Sequence, residues 1–256
     1  MVQSIKLSGH RGYKDKATEN SKASLIQAID ENLDYIELDI RKTKDNVPII
    51  FHDKKLNRLV NKKKGRVKNY TLEELKTFEY QDGQKILTLS EILPIIKGKI
   101  KIILDLKVKG MERNIIKLVR KSNLENDVII QSKKGLIVNN CYKIDPNLKY
   151  ALYRGYLGKI GLYGELLKLH KIIAPIIYYV KVKPFPIRYI NLDGPFIYEE
   201  FLSILHKRRI KIILGSMKVG KYLRYIEKWN IRIINANNPE RVKKYLNYYY
   251  KNGLVH

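Results

Sequence analysis

Nine short apolar runs alternate with stretches of helical periodicity along the 256 residues, and this alternation restricts the fold more than any other feature. Runs so spaced read as βα units wound around a largely parallel sheet, an α/β architecture. They fall at 5–9, 35–40, 48–51, 100–106, 128–130, 150–152, 189–192, 210–214 and 231–234. The chain has the length of a typical (β/α)8 barrel, roughly 250 residues, yet nine runs exceed its eight strands by one. Spacing resolves the surplus. Only Arg41 to Val47 separates the second run from the third, whereas a parallel crossover needs about a dozen residues or more. The third run is therefore expected to fold back about Lys44-Asp45-Asn46-Val47. The expected fold is one (β/α)8 barrel domain over 1–256 with an extra antiparallel hairpin after strand 2. A hairpin centred between Asp45 and Asn46 would set His52 directly opposite Asp39. Helices are expected over 21–32, 71–78, 112–122, 198–208 and 218–229, with Ser21 and Thr71 as N-caps and Glu74 closing a capping box on Thr71.

Composition narrows the function. A single cysteine, Cys141, excludes an internally cross-linked scaffold. Residues 1–7 read as the approach to a first strand, so no leader is expected, and the longest apolar run, 172–180, is broken by Pro175. That is far short of the ~20 residues of a spanning helix, so a cytoplasmic protein is expected, with peripheral contact at the inner face of the membrane left open. Against 25 Asp+Glu stand 51 Lys+Arg, a formal charge of +26. Such an excess suits nucleic acid, an anionic membrane surface or an anionic substrate. The acids cluster early: residues 1–128 hold 18 of the 25. The densest basic stretch is Lys54 to Asn69, with eight Lys or Arg in sixteen residues and no acid. Following directly on His52, it is expected to overhang the barrel mouth.

Polar residues accumulate where the early strands end. Strand 1 runs into Gly9-His10-Arg11-Gly12, strand 2 carries Glu37-x-Asp39, the hairpin returns into His52-Asp53, and the next strand ends Asp105-x-Lys107. In a parallel barrel all these ends open on one face, and the two-residue period sets Glu37 beside Asp39 and Asp105 beside Lys107. Three carboxylates converging there cannot all stay ionised without compensation. Oxygen ligands suit a hard cation, Mg2+ or Ca2+, and the chain has no Cys or paired His at zinc spacing. A metal with Arg11, Lys107 and two imidazoles describes a site for a phosphate group, with a route for protons in and out.

These motifs, with Thr18-Glu19-Asn20-Ser21, Thr43 through Asp53, Leu56-Asn57-Arg58, Gly65-Arg66-Val67, Thr71 through Leu75, Leu87 through Leu93 and Leu104 through Lys107, resemble the glycerophosphodiester phosphodiesterases. Gln131-Ser132 and Asn237-Asn238-Pro239-Glu240 echo that family's later strand ends. The resemblance is dense over 5–107 and thin beyond. It implies metal-dependent hydrolysis of a glycerophosphodiester to glycerol phosphate and an alcohol on a TIM barrel. Glu37, Asp39 and Asp105 would hold the metal, His10 and His52 would form the acid/base pair, Arg11 and Lys107 would bind phosphate, and Glu19 and Asn20 would line or brace the site.

Two departures bear on the substrate. The third metal ligand of the family is usually Glu, and Asp105 is one methylene shorter, as in the related sphingomyelinase D-like phospholipases. The family's Trp-Thr pair is replaced by Leu214-Gly215-Ser216-Met217. The alternatives are therefore a lysophospholipase D or sphingomyelinase D-like enzyme of the same superfamily, or, in another class, a basic nucleic-acid-binding domain with a vestigial site. Partners expected are a small phosphodiester and an anionic membrane surface, with no specific nucleic acid. Asp53 is expected to brace, Gln131, Ser132 and Asp193 are candidate substrate contacts, and 162–186 is a candidate lipid-facing patch.

Overall fold

The computed structural model describes residues 5–154, 187–192, 199–215 and 228–251. Eight parallel strands close a barrel: β1 (Lys6–His10), β2 (Tyr35–Lys42), β4 (Lys101–Leu106), β5 (Val128–Ser132), β6 (Lys149–Arg154), β7 (Tyr189–Leu192), β8 (Lys211–Leu214) and β9 (Ile231–Ala236). Each pairs with the next, and the ring is sealed where β1 meets both β9 and β2. The ninth strand, β3 (Pro48–Ile50), lies antiparallel on the upper part of β2, as the short connection required.

Alternation along each strand divides the chain between two environments. On β2, Ile36, Leu38 and Ile40 point outward into the principal core. There they meet Leu25 and Ala28 of α1 (Lys22–Asp30) and Leu89, Ile92, Leu93 and Ile96 of α3 (Leu89–Ile96). The same layer continues with α4 (Glu112–Lys121), α5 (Gly135–Ile144), α6 (Glu199–Lys207) and α7 (Pro239–Lys251). Inside, Tyr35, Ile103, Ile129, Ala151, Tyr189, Ile213 and Ile233 form a separate apolar plug. Polar side chains two residues further along these strands therefore stand on a dry floor and open to one face.

A third cluster fills the segment between β3 and β4. Phe51, Leu56, Val60, Val67, Leu75, Phe78, Tyr80 and Ile86 pack on Ile49, beneath α2 (Leu72–Lys76), whose Thr71–Glu74 capping box forms as expected. The basic stretch is thus anchored by its apolar residues, while Lys62, Lys63 and Lys64 stay exposed. Ser21 caps α1, accepting from the Ser24 amide. The expected helix over 218–229 falls mostly outside the described residues, as do Asp193, the patch over 162–186, and Ser216-Met217. Among the described residues no helix is long and apolar enough to cross a membrane.

The hairpin register differs from expectation by one residue. Ile40 pairs with Ile50, Arg41 with Ile49 and Lys42 with Pro48. The reason is a three-residue loop, Lys44-Asp45-Asn46, closed by the Thr43 amide on the Val47 carbonyl at 3.1 Å, with Asn46 at φ 62°. Three-residue hairpin loops place their last residue in the left-handed region, which Asn tolerates. Asp39 consequently faces Phe51, whose amide donates to the Asp39 carbonyl at 2.9 Å. Phe51 enters the third cluster, and His52 reaches the mouth from just beyond the strand end. Asn46→Gly should leave stability nearly unchanged, whereas Asn46→Val should cost about 1–2 kcal/mol, measured by urea unfolding.

Candidate active site

Glu37 and Asp39 on β2 and Asp105 on β4 face inward above the apolar plug, and all three are buried. One carboxylate oxygen from each lies within 4.8 Å of the others. The register explains the convergence, since Asp39 and Asp105 are direct partners on adjacent strands. Lys107, the next inward residue of the β4 segment, puts its ammonium 2.7 Å from Asp39 Oδ1 and in contact with Asp105 Oδ2. Arg11 Nε lies 3.5 Å from Asp39 Oδ2. Burial works to raise all three carboxyls, but for Asp39 the attraction of Lys107, His52 and Arg11 outweighs it and holds the group at about 2. For Glu37 the attraction of Lys107 and Arg11 does not suffice: burial and then repulsion from Asp39 push it well above the ordinary range. Asp105 is raised too, by burial ahead of Asp39, with Lys107 opposing. Lys107, although burial disfavours its charge, is held protonated by Asp105 and Asp39. Asp105 Oδ1 accepts no hydrogen bond from any described residue. The cluster therefore holds more negative charge than its cations neutralise.

The turn after β1 supplies the next layer. A Cβ on Gly9 would lie 2.3 Å from the Gly12 carbonyl oxygen, and Gly12 sits at φ +82° against Ser24. Only glycine allows this tight path, which leaves the Arg11 amide donating to Glu37 Oε2 at 3.0 Å. Asn20, also left-handed at φ 59°, brackets Asp39. Its Nδ2 donates to Asp39 Oδ2 at 2.9 Å, and its Oδ1 accepts from the Asp39 amide at 3.1 Å. Asn20 thus stands behind the site as a brace.

Both histidines reach this cluster, each secured through one ring nitrogen. His10 Nδ1 donates to Asn237 Oδ1 at 2.7 Å, just past the end of β9, leaving Nε2 3.8 Å from Glu37 Oε2. Burial first, and then Arg11, lower His10 to about 4, so its imidazole is neutral at physiological pH. His52 Nδ1 donates to Asp53 Oδ1 at 2.6 Å, and its pKa is lowered chiefly by burial, with Asp39 and Asp53 opposing. Asp53 is in turn held by Arg58 Nε at 2.7 Å. Arg58 also grips Glu19 with Nη2 at 2.5 Å and Nη1 at 3.1 Å. Glu19 passes the contact on to Arg11 Nη1 at 2.9 Å. An unbroken chain of charge-assisted bonds therefore runs from His52 through Asp53, Arg58 and Glu19 to Arg11.

A cavity of about 150 Å³ opens above the plug, lined by His10, Arg11, Glu37, His52, Asp105 and Lys107 on one side. Gln131, Tyr153, Asn191 and Asn235 line the other. Ser132 is not among the lining residues, since its hydroxyl donates to the Leu106 carbonyl at 2.7 Å. Glu19 also stays outside, acting on Arg11. Sequence reasoning missed Asn191, Asn235 and the role of Arg58. Arg58 was submerged in the basic run, and only its place five residues after Asp53 could have marked it.

A profile of the Glycerophosphoryl diester phosphodiesterase family matches residues 10–153, more than half of the chain. The chain belongs to that family. Among its relatives, a glycerophosphodiester phosphodiesterase of Bacillus altitudinis is 27% identical over 253 residues, 93% of this chain and 97% of that one. One from Caldanaerobacter subterraneus subsp. tengcongensis is 32% identical over 157 residues, 56% of this chain and 64% of that one. A phosphodiesterase of Oleispira antarctica, solved in complex with the product sn-glycerol-3-phosphate, superposes with a TM-score of 0.73 at 18% identity over 94% of this chain and 96% of its own. That last likeness is one of fold, and it agrees with a closed eight-stranded barrel.

Lys107 carries most of the charge compensation in the cluster. Lys107→Met should destabilise the fold by on the order of 3 kcal/mol, because two buried carboxylates lose their partner, read from denaturant unfolding in EDTA. Asp105→Asn should cost clearly less.

Proposed function

We propose that this protein hydrolyses glycerophosphodiesters to glycerol phosphate and an alcohol by general acid/base catalysis between His10 and His52. One observation carries the reading: two imidazoles with Nδ1 committed to Asn237 and Asp53 flank a cluster of three carboxylates and two fixed cations. Each imidazole thereby keeps Nε2 for proton transfer. His10, neutral because burial lowers it to about 4, suits the base that takes a proton from an attacking water, or from a substrate hydroxyl whose attack gives a cyclic phosphate that water then opens. His52, lowered by burial but with Asp39 and Asp53 opposing that shift, is left as the acid that protonates the departing alcohol. Arg11 and Lys107 supply the charge that phosphoryl oxygens require. The product bound to the Oleispira antarctica relative is of the class expected here.

A divalent cation fits the carboxylate cluster. Its donors are all oxygen, Asp105 Oδ1 has no hydrogen-bond partner among the described residues, and Glu37 is pushed up by burial and then by repulsion from Asp39, the second of which a dication would relieve. Glu37, Asp39 and Asp105 would hold Mg2+ or Ca2+, hard ions suited to such ligands. When bound it would stabilise negative charge on the phosphoryl group. Glu19, through Arg11 and Arg58, keeps the phosphate-binding guanidinium in place and does not itself meet substrate.

Lys62, Lys63 and Lys64, with Lys54, Lys55, Arg66 and Lys68, make the cap beside His52 strongly positive. This surface is suited to drawing anionic phosphodiesters, or the membrane that carries them, toward the mouth.

Turnover of glycerophosphocholine that stops in excess EDTA and resumes with Mg2+ or Ca2+ is the expected result. His10→Ala and His52→Ala should each lower it by about 10²–10⁴. Cleavage of lysophosphatidylcholine in its place would move the substrate to the lysolipid branch, and EDTA-resistant turnover would remove the metal. Replacing Lys62, Lys63 and Lys64 together by Gln should reduce kcat/KM at low ionic strength, with the difference vanishing above about 0.5 M salt, where screening is complete within a few ångströms.

A further inference from the structure

Arg41 is the next inward residue of β2 after Asp39, so the period that turns Tyr35, Glu37 and Asp39 into the barrel carries one more side chain to its rim. Lys107 stands at the same level on the neighbouring strand, as its amide, bonded to the Ile40 carbonyl at 3.0 Å, requires. Arg41 is half-buried. Its Nε donates to the His52 carbonyl at 2.7 Å, which ties the guanidinium to the peptide carrying the second imidazole. No other hydrogen bond and no ion pair engages this side chain among the described residues. Neither Nη nitrogen is sealed from solvent.

The carboxylates nearby are already engaged. Asp39 is held by Lys107, Arg11 and Asn20, Asp105 by Lys107, and Asp53 by Arg58 and His52. Asp39, Asp53 and Asp105 attract Arg41 from further off, yet burial outweighs them and pulls its pKa down. Arg41 has therefore given up part of its hydration without gaining a charged partner. With Nε used, its remaining N–H donors form the planar fork that matches a carboxylate or phosphate. Beyond His52 the chain continues through Asp53 into Lys54 and Lys55, and no further acid occurs before Asn69. A cationic group placed here would meet repulsion, and an anionic one would meet the fork.

We propose that Arg41 receives an anionic group carried by the leaving alcohol, so that the protein prefers diesters whose alcohol bears a carboxylate or a further phosphate close to the scissile ester. This deepens the hydrolytic reading and rests on it for there being a leaving alcohol at all. The position of Arg41 against His52 is what selects the leaving side, because His52 is the group assigned to protonate that alcohol.

Glycerophosphoserine and glycerophosphoethanolamine differ only by the carboxylate on the alcohol, and their kcat/KM values form the test. They are compared at about 0.5 M salt, where attraction by the exposed lysines is screened and a partly buried contact is screened much less. The expected ratio favours glycerophosphoserine by about tenfold or more, the size of one charge-assisted hydrogen bond. Arg41→Gln should bring the ratio close to one, and Arg41→Lys, which keeps the charge without the fork, should fall between, in proteins whose melting transitions remain cooperative. If Arg41 only braced the His52 peptide, both substrates would slow alike and the ratio would not change, which would overturn the proposal. So would equal values in the unmodified protein, an outcome that needs no variant to fold. Calorimetric titration of His10→Ala protein with Mg2+, which should bind the two diesters without consuming them, separates this proposal from the reading beneath it. Tighter binding of glycerophosphoserine that Arg41→Gln removes, without turnover of any glycerophosphodiester by the unmodified protein, would sustain the anion contact and remove the hydrolytic reading. Turnover of both diesters with equal kcat/KM and equal binding would do the reverse.

Discussion

Three carboxylates crowded at the mouth of a barrel organise everything around them. Glu37, Asp39 and Asp105 are buried and near one another, an arrangement that low polarisability and like charge both oppose. The surrounding structure compensates step by step. Lys107 lies between Asp39 and Asp105, the Arg11 amide reaches Glu37, and Asn20 holds Asp39 from behind through two hydrogen bonds. The strain that remains falls chiefly on Glu37, whose carboxyl burial and then Asp39 push well above the ordinary range.

The same economy governs the histidines. An imidazole useful in proton transfer needs one nitrogen fixed and the other open. Here one fixing group is remote and the other local: Asn237 lies beyond the last barrel strand, whereas Asp53 is His52's own neighbour, steadied by Arg58. Arg58 bonds to both Asp53 and Glu19, and Glu19 to Arg11. The orientation of His52 and the placement of the Arg11 guanidinium are thereby mechanically linked. That linkage gives the basic insertion after β3 a structural reason, for its own apolar cluster holds Arg58 over the mouth.

Beneath these groups the apolar plug keeps water from the strand interior and makes the floor of the cavity. The strands continue past it with charged residues on β2 and β4 and amides on β7 and β9. The cavity mouth thus has a charged side and a neutral side, since the inward side chains come from different strands, four to a layer.

Much of this was legible in the residue order. Period-two alternation in a buried parallel strand marks Glu37, Asp39 and Asp105 as sharing one interior. The seven residues between the second and third runs force the hairpin, and Thr71 with Glu74 announces a helix start. Those inferences depend on local geometry, which sequence encodes directly. The hairpin register was not legible, because whether two or three residues form the loop depends on Asn46 adopting φ 62°. Nor were the Asn237 partner of His10, the bond from Arg58 to Glu19, or the neutral side that Asn191 and Asn235 form. Each joins residues separated by tens to hundreds of positions. By itself the sequence determined which chemical groups this barrel carries at its strand ends; closure of the ring decided which of them meet, because only tertiary structure brings β9 beside β1 and sets β7 across from β2.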